Sequence, residues 1–346
     1  MEPNNIKDWI KRKKDQRERM NPETLFDGIL KGDLSSLSSG ITLIESQDKD
    51  QRYAADGLIQ KCLPYSGKSI RVGITGVPGV GKSTFIEAFG MLLIRGGFKV
   101  AVLAIDPSSS VSGGSILGDK TRMNELSAQD SVFIRPSPAR YTLGGVARKT
   151  RESILLCEAA GYDFILVETV GVGQSETVVK SMVDFFLLLM LSGAGDELQG
   201  IKKGIMEMAD ALVITKADGD NKLRAKLAAR EYKNALHLFP SNKNNWIPKV
   251  FTCSALEKKN ITNVLDVIED FRSHVMSSGF FETNRKSQDN KWLSETLKEL
   301  IINDFFLDGQ MIIHLKEIEQ KVINGEKTSF QAADELYKIY TNARRV

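Results

Sequence analysis

Short apolar runs, mostly rich in Val and Ile, recur through the middle of the chain: Ile70 to Thr75, Lys99 to Ile105, Ser131 to Arg135, Phe164 to Thr169, Ala211 to Thr215 and Lys249 to Thr252. They are mostly continuous rather than alternating, the pattern of strands covered on both faces. Helical stretches and loops separate them, which predicts a doubly wound α/β domain carrying its ligands at the carboxyl ends of the strands. The most apolar window, Met182 to Leu191, contains Asp184 and is too short to cross a bilayer, so it reads as a buried element.

The flanks have a different texture. Asp8 to Met20 is a charged helical pattern with Trp9 and Ile10 as its apolar anchors, and Lys11 to Lys14 reads as a solvated helix face, with an RNA or partner contact as the minority reading. Asn21-Pro22-Glu23 has the form of a helix start, with Pro at the first helical position. A further helical pattern covers Ser38 to Cys62. After Ser277 no strand-like run remains. Trp292, Leu293, Leu297, Leu300, Ile301, Phe305 and Phe306 recur near helical spacing, followed by Met311 to Ile323 and Phe330 to Tyr340. A helical hairpin of this kind has more apolar surface than it buries alone, so it packs back on the core or forms a dimer arm.

At 346 residues the chain exceeds one compact domain, which fits a main domain with appendages. A net charge of only +3 gives no bulk attraction to nucleic acid or to an anionic membrane. Cys62, Cys157 and Cys253 are odd in number and far apart, which fits a reducing compartment without a disulfide framework. The N-terminus has no apolar stretch of signal-peptide length, and the expected location is cytoplasmic. His237, His274 and His314 are scattered and form no metal-binding spacing with the cysteines.

The chemistry is concentrated in Gly76-Val77-Pro78-Gly79-Val80-Gly81-Lys82-Ser83-Thr84, which satisfies the P-loop pattern in full. It lies between an expected strand and an expected helix. Its glycines let backbone N–H groups wrap phosphates, and the helix start adds partial positive charge. Lys82 is expected on the β- and γ-phosphates and the Ser83 hydroxyl on Mg²⁺. Asp106 and Glu168 end two expected strands at the same edge, where hard oxygens position the metal or water. Glu168 leads into a Gly-rich loop that includes Gly171, suited to sensing a γ-phosphate. In Thr215-Lys216-Ala217-Asp218 the carboxylate matches the paired N–H donors of guanine, which adenine lacks. Cys253-Ser254-Ala255, at the end of the next expected strand, offers a backbone N–H to the guanine O6.

Taken together with Ala104-Ile-Asp106-Pro-Ser-Ser109, Gly118-Asp119-Lys-Thr-Arg-Met123, Val167 to Glu176 and Gly193 to Gly204, these motifs resemble the methylmalonyl-CoA mutase-associated GTPases, G-protein chaperones of adenosylcobalamin enzymes. Older labels called the members lysine/arginine/ornithine transport system kinases. The resemblance runs from about residue 20 to the C-terminal helices. It implies a GTPase that docks on an acyl-CoA mutase and gates loading, protection and exchange of adenosylcobalamin, and a homodimer built through the C-terminal arm. It places Asp106, Asp119 and Glu168 as Mg²⁺-side and switch acids, and Asp218 as the guanine reader. It also implies that Gln174, Asp196, Glu197, Lys202 and Lys203 belong to switch and partner loops. The expected division is a helical extension over 1–67, a P-loop GTPase domain over 68–277 and a helical dimerisation arm over 278–346.

Two positions depart from the family pattern. Thr215 stands where Asn is usual, which removes an amide contact that steadies the base loop. Ser192 stands where Pro is usual, which predicts a more mobile switch. The alternative is a P-loop kinase or ATPase linked to amino-acid transport. It requires a second substrate pocket and a base for a hydroxyl proton, which the sequence does not offer, and Asp218 argues against ATP. A nickel-insertion GTPase is disfavoured because the scattered histidines and absent Cys pair provide no metal store. A non-enzymatic binding module is disfavoured by the joint presence of Lys82, Ser83 and the two acids.

Overall fold

The computed structural model describes residues 21–46, 48–105, 123–136, 143–169, 175–193, 203–237, 239 and 244–343. The charged pattern at 8–20 lies outside them.

The first helix, α1 (Pro22–Leu30), starts as its sequence predicts: Pro occupies the first turn and the Asn21 side chain accepts from Glu23 N at 2.9 Å. The single helical pattern expected from Ser38 to Cys62 is two helices, α2 (Leu34–Glu45) and α3 (Lys49–Cys62). Asp33 caps the first through Ser36 N, and Asp48 caps the second through Asp50 N and Gln51 N. Each short acidic cap satisfies N–H groups that the helix itself cannot, and so fixes a start that apolar periodicity does not mark.

All six expected strands form, and a seventh joins them. They are β1 (Ile70–Gly76), β2 (Val100–Ile105), β3 (Val132–Arg135), β4 (Phe164–Thr169), β5 (Phe185–Met190), β6 (Ala211–Ile214) and β7 (Lys249–Thr252). The order is β3-β2-β4-β1-β5-β6-β7, and every neighbouring pair is parallel. The additional strand, β5, is the buried window around Phe185 to Met190, and it lies between β1 and β6 with all six residues buried. An apolar run covered on both faces has no period to distinguish strand from buried helix. Helices α4 (Lys82–Arg95), α5 (Leu143–Ala159), α6 (Lys222–Leu236) and α7 (Thr262–Ser277) connect or follow the strands. The result is a wholly parallel, doubly wound α/β sheet with the P-loop at the carboxyl end of central β1.

At the opposite end of β1 lies a buried ionic network. Arg71 donates through Nε and Nη2 to Glu158 of α5, each at 2.9 Å, and the Ser69 hydroxyl adds a bond of 2.7 Å. Asp184 accepts from Arg71 N at 2.9 Å and from Arg285 Nη2 at 2.7 Å. Arg285 also donates to Gly67 O and Ser69 O, and Gln288 donates to Val183 O at 2.8 Å. These bonds fix the first turns of α8 (Phe280–Phe306) beneath the sheet.

The chain divides into two compact units, one ending at Gln288 and one starting at Asp289, with the boundary inside α8. The second unit contains the rest of α8, α9 (Gly309–Ile323) and α10 (Ser329–Ala343). The three helices match the three helical runs expected after Ser277. Met311, Ile318, Ala332 and Leu336 form its small core, and Tyr340 donates to Asp304 at 2.9 Å. Among the described residues no helix is long and apolar enough to cross a membrane.

Candidate functional site

Gly76 ends β1 at a point where neighbouring β5 leaves no room for a side chain. A Cβ there would lie 2.5 Å from Leu189 O. The loop then turns over exposed Pro78 and Gly79, while Val77 and Val80 point into the core. Gly81, at φ 89°, occupies the left-handed region just before α4. Helix α4 therefore begins at Lys82. The N–H groups of its first turn have no acceptor inside the helix and, with the macrodipole, form a ready anion site. Ser83 is half-buried and Thr84 exposed in that turn.

Lys82 Nζ folds back to donate to Gly76 O at 3.0 Å. Burial pushes its ammonium below the ordinary value, while the charges of Glu168 and Glu176 act in the other direction. Glu168 is buried near the carboxyl end of β4, in register with Ile74 of β1 and Ala104 of β2. The next residue, Thr169, donates to Thr75 Oγ1 at 2.7 Å, which locks the ends of β4 and β1 together. Cation, carboxylate and helix start are thus held by adjacent strands. Glu176, fully buried on the short helix Ser175–Lys180, is a further acid whose charge acts on Lys82. It ends the motif Val167 to Glu176, from which no role for it follows.

The loop expected to read the base follows β6. Lys216 is exposed and has φ 53°, and this left-handed turn brings Ala217 N to Cys253 O at 3.0 Å. The Ser254 hydroxyl donates to Asp218 Oδ2 at 2.5 Å. The structure therefore brings Asp218 and the Cys253-Ser254-Ala255 segment together, with Asp218 bonded to the neighbouring loop. Burial, with the charge of Asp218, pushes the Cys253 thiol up to about 12, so this cysteine stays protonated and unreactive at neutral pH. The Thr215 hydroxyl donates to Val80 O of the P-loop at 2.8 Å and contacts Met190 O at 3.3 Å. Thr215 thus ties the loop after β6 to the P-loop.

Two further residues complete the corner: Asn221, which has no expected role from sequence, and Ser192. Asn221 Nδ2 donates to Lys216 O at 2.7 Å, and the Ser192 hydroxyl donates to Asn221 Oδ1 at 2.6 Å. The departure at Ser192 is visible in sequence, but its partner is 29 residues away. Asp106, Asp119, Gly171, Gln174, Asp196, Glu197 and Lys202 lie outside the described residues, and Lys203 opens the short helix Lys203–Met208.

The donors near the P-loop, the Ser83 hydroxyl and the Glu168 carboxylate, are the hard oxygens that Mg²⁺ prefers. They are too few for an all-protein cage. That suits an ion that keeps several waters and shares a nucleotide's phosphates. Among the described residues no cluster of three or more His, Cys, Asp or Glu side chains forms a self-sufficient metal site.

The family model for the methylmalonyl-CoA mutase-associated GTPase MeaB matches residues 37–310. The chain is 49% identical to GTPase ArgK of Escherichia coli (strain K12), over 83% of this chain and 88% of that one. It is 44% identical to the mitochondrial methylmalonic aciduria type A homolog of Mus musculus, over 97% of this chain and 83% of that one. A crystal structure titled as a LAO/AO transport system kinase superposes with a TM-score of 0.74 at 38% identity, covering 93% of this chain and 98% of that one. A family model spanning most of the chain and relatives nearly half identical over most of their own length agree: this protein belongs to the methylmalonyl-CoA mutase-associated GTPase family.

Proposed function

We propose that the protein hydrolyses GTP to GDP and phosphate as a G-protein chaperone of an adenosylcobalamin-dependent acyl-CoA mutase. In this reading it docks on the mutase, foremost methylmalonyl-CoA mutase, and gates loading, protection and exchange of the cofactor. The observation that carries the reading is the bond from Thr215 to Val80, which joins a base-reading loop and a phosphate loop into one nucleotide site. The name of the matched family supports the mutase as partner.

In the proposed site, Gly76 to Thr84 surround the phosphates and Lys82 exchanges its bond to Gly76 O for phosphate oxygens. Ser83 and Glu168, with Asp106, would hold Mg²⁺, which would supply neutralisation of phosphate charge. Asp218 accepts from the two guanine N–H groups, and the backbone at Cys253 to Ala255 serves the O6. Asp119 and Gly171 act on the γ-phosphate side. Gln174, Asp196, Glu197, Lys202 and Lys203 carry nucleotide state to the partner. No built-in general base stands out among these groups, which supports slow intrinsic hydrolysis that a partner accelerates.

The second unit supports a homodimer. Leu293, Leu297, Leu300 and Ile301 are spaced along one face of α8, and all are exposed. Ile323 and Phe330 are 73% and 88% exposed. This is more apolar surface than a monomer usually leaves in water. The low net charge and the scattered cysteines support a cytoplasmic protein acting apart from membranes and nucleic acid.

The test is turnover of GTP and ATP by the purified chain, with and without a candidate mutase. Slow GTP turnover that rises with the mutase is the expected result. Fast ATP phosphotransfer to an amino acid or protein without the mutase would instead support the kinase reading.

A further inference from the structure

Asn221 stands at the amino end of α6, where an Asn side chain ordinarily accepts from N–H groups of the first turn. It makes no such cap. Its carboxamide instead bridges two loops, donating to Lys216 O at 2.7 Å and accepting from the Ser192 hydroxyl at 2.6 Å.

Both partners occupy sensitive positions. Lys216 is a non-glycine residue at φ 53°, a conformation that costs about 1 kcal/mol or more unless its surroundings hold it. That conformation turns the chain out of β6, so that Ala217 meets Cys253 and Asp218 meets Ser254. A donor on Lys216 O is therefore a direct means of fixing where the Asp218 carboxylate stands. Ser192 is the second residue after β5 and immediately precedes the Gly193 to Gly204 stretch.

We infer that Asn221 is a positioning residue for base recognition, and that its bond from Ser192 couples the base-reading loop to the root of the stretch beginning at Gly193. This rests on the guanine reading proposed above. The two bonds can be cut separately. Asn221→Asp keeps the side chain's size and its acceptor for Ser192 but places an oxygen against Lys216 O. Ser192→Ala removes only the other bond.

The experiment compares GTP and ITP affinities of the full-length wild type and both variants, together with backbone amide exchange over residues 191–205 with and without GDP. ITP lacks the 2-amino group that Asp218 would read. A hydrogen bond to a charged group implies a wild-type preference for GTP of about 10-fold or more. Asn221→Asp should lower that preference at least about 5-fold while leaving pyrophosphate affinity within about 2-fold, since its lost bond is to the base loop alone. If the aspartate variant does not fold, Asn221→Ala, which removes both bonds, is read against Ser192→Ala, which removes only the second. Ser192→Ala should keep the GTP preference and lose the slowing of exchange that GDP brings to 191–205 in the wild type. An unchanged preference in the Asn221 variant overturns the positioning role. Absent wild-type slowing, or equal slowing in Ser192→Ala, overturns the coupling. A wild type that binds ITP as tightly as GTP contradicts the guanine reading of Asp218 itself.

Discussion

The Thr215 hydroxyl donates to Val80 O at 2.8 Å, so the residue that follows β6 is bonded to the loop that follows β1. Both residues are buried, and the bond is shielded from water. Thr215→Val preserves shape and removes the donor. It should destabilise the protein by about 1–3 kcal/mol, the cost of leaving a buried carbonyl short of a partner. GDP affinity should fall about 3- to 10-fold, if the same bond aligns the two halves of the site. Thr215→Ser should restore most of both losses. Denaturant titrations and fluorescent-nucleotide binding on the three proteins check this.

Gly76 offers a steric test of the phosphate loop. A methyl group placed 2.5 Å from Leu189 O forces β1 and β5 apart, since backbone cannot swing away as a side-chain tip does. Gly76→Ala should cost about 1–3 kcal/mol, the usual penalty for overpacking a tight core. It should also weaken GDP binding, because the displaced strand end carries the acceptor of Lys82. Gly79→Ala has open space around its Cβ, so any loss there arises from the left-handed φ of 75° alone. Unfolding midpoints of the two variants separate these causes.

The network under β1 should set the acid limit of stability. Burial alone would raise the Glu158 carboxyl, but Arg71 beside it and Arg285 nearby hold it below its ordinary value of 4.5. The folded state therefore favours the ionised form. The stabilisation is complete above pH 4.5 and is lost as pH falls through the depressed folded value, because the unfolded chain binds the proton more readily in that window. Glu158→Gln removes the charge that Arg71 and Arg285 share and should cost about 3–5 kcal/mol at pH 7. It should also flatten the acid limb. Urea denaturation across pH 7 to 3 reads both effects.

The exposed apolar face of α8 should be covered in solution by a second copy. Replacing Leu297 and Ile301 together with Glu places charge on a surface now 54% and 52% exposed. Sedimentation should show the wild type as a dimer and this variant as a monomer. Nucleotide affinity should be unchanged, since the P-loop and the base loop belong to the first unit. A wild type that remains monomeric at all concentrations contradicts the proposed arm.

What the sequence revealed and what it concealed divide along physical lines. The P-loop was legible because its glycines, Lys82 and Ser83 act within one turn of chain, and the strand before it and the helix after it have clear local patterns. The helix start at Asn21 was legible for the same reason. Strand β5 was recognised only as buried, because Phe185 to Met190 is apolar on both faces. The start of α3 was merged into a longer helical pattern, because an Asp48 cap interrupts a helix without altering the apolar spacing around it. The departures at Thr215 and Ser192 were evident, but their consequences were not. Each depends on a partner distant in sequence, Val80 and Asn221 respectively, that only the packed sheet brings near. Asn221 itself reads as an ordinary helix cap, and its bridging role has no local signature.

The most direct measurement is competitive binding of GTP, ATP and XTP to the wild type and to Asp218→Asn. Xanthine carries an oxygen where guanine carries its 2-amino group, so a carboxylate at 218 favours guanine and an amide favours xanthine. The wild type should bind GTP at least about 10-fold more tightly than either competitor, as expected for hydrogen bonds to a charged acceptor, and Asp218→Asn should move the preference to XTP. A wild type that prefers ATP, or an Asp218→Asn variant that keeps its preference for GTP, would contradict the assignment of this site as one that reads guanine.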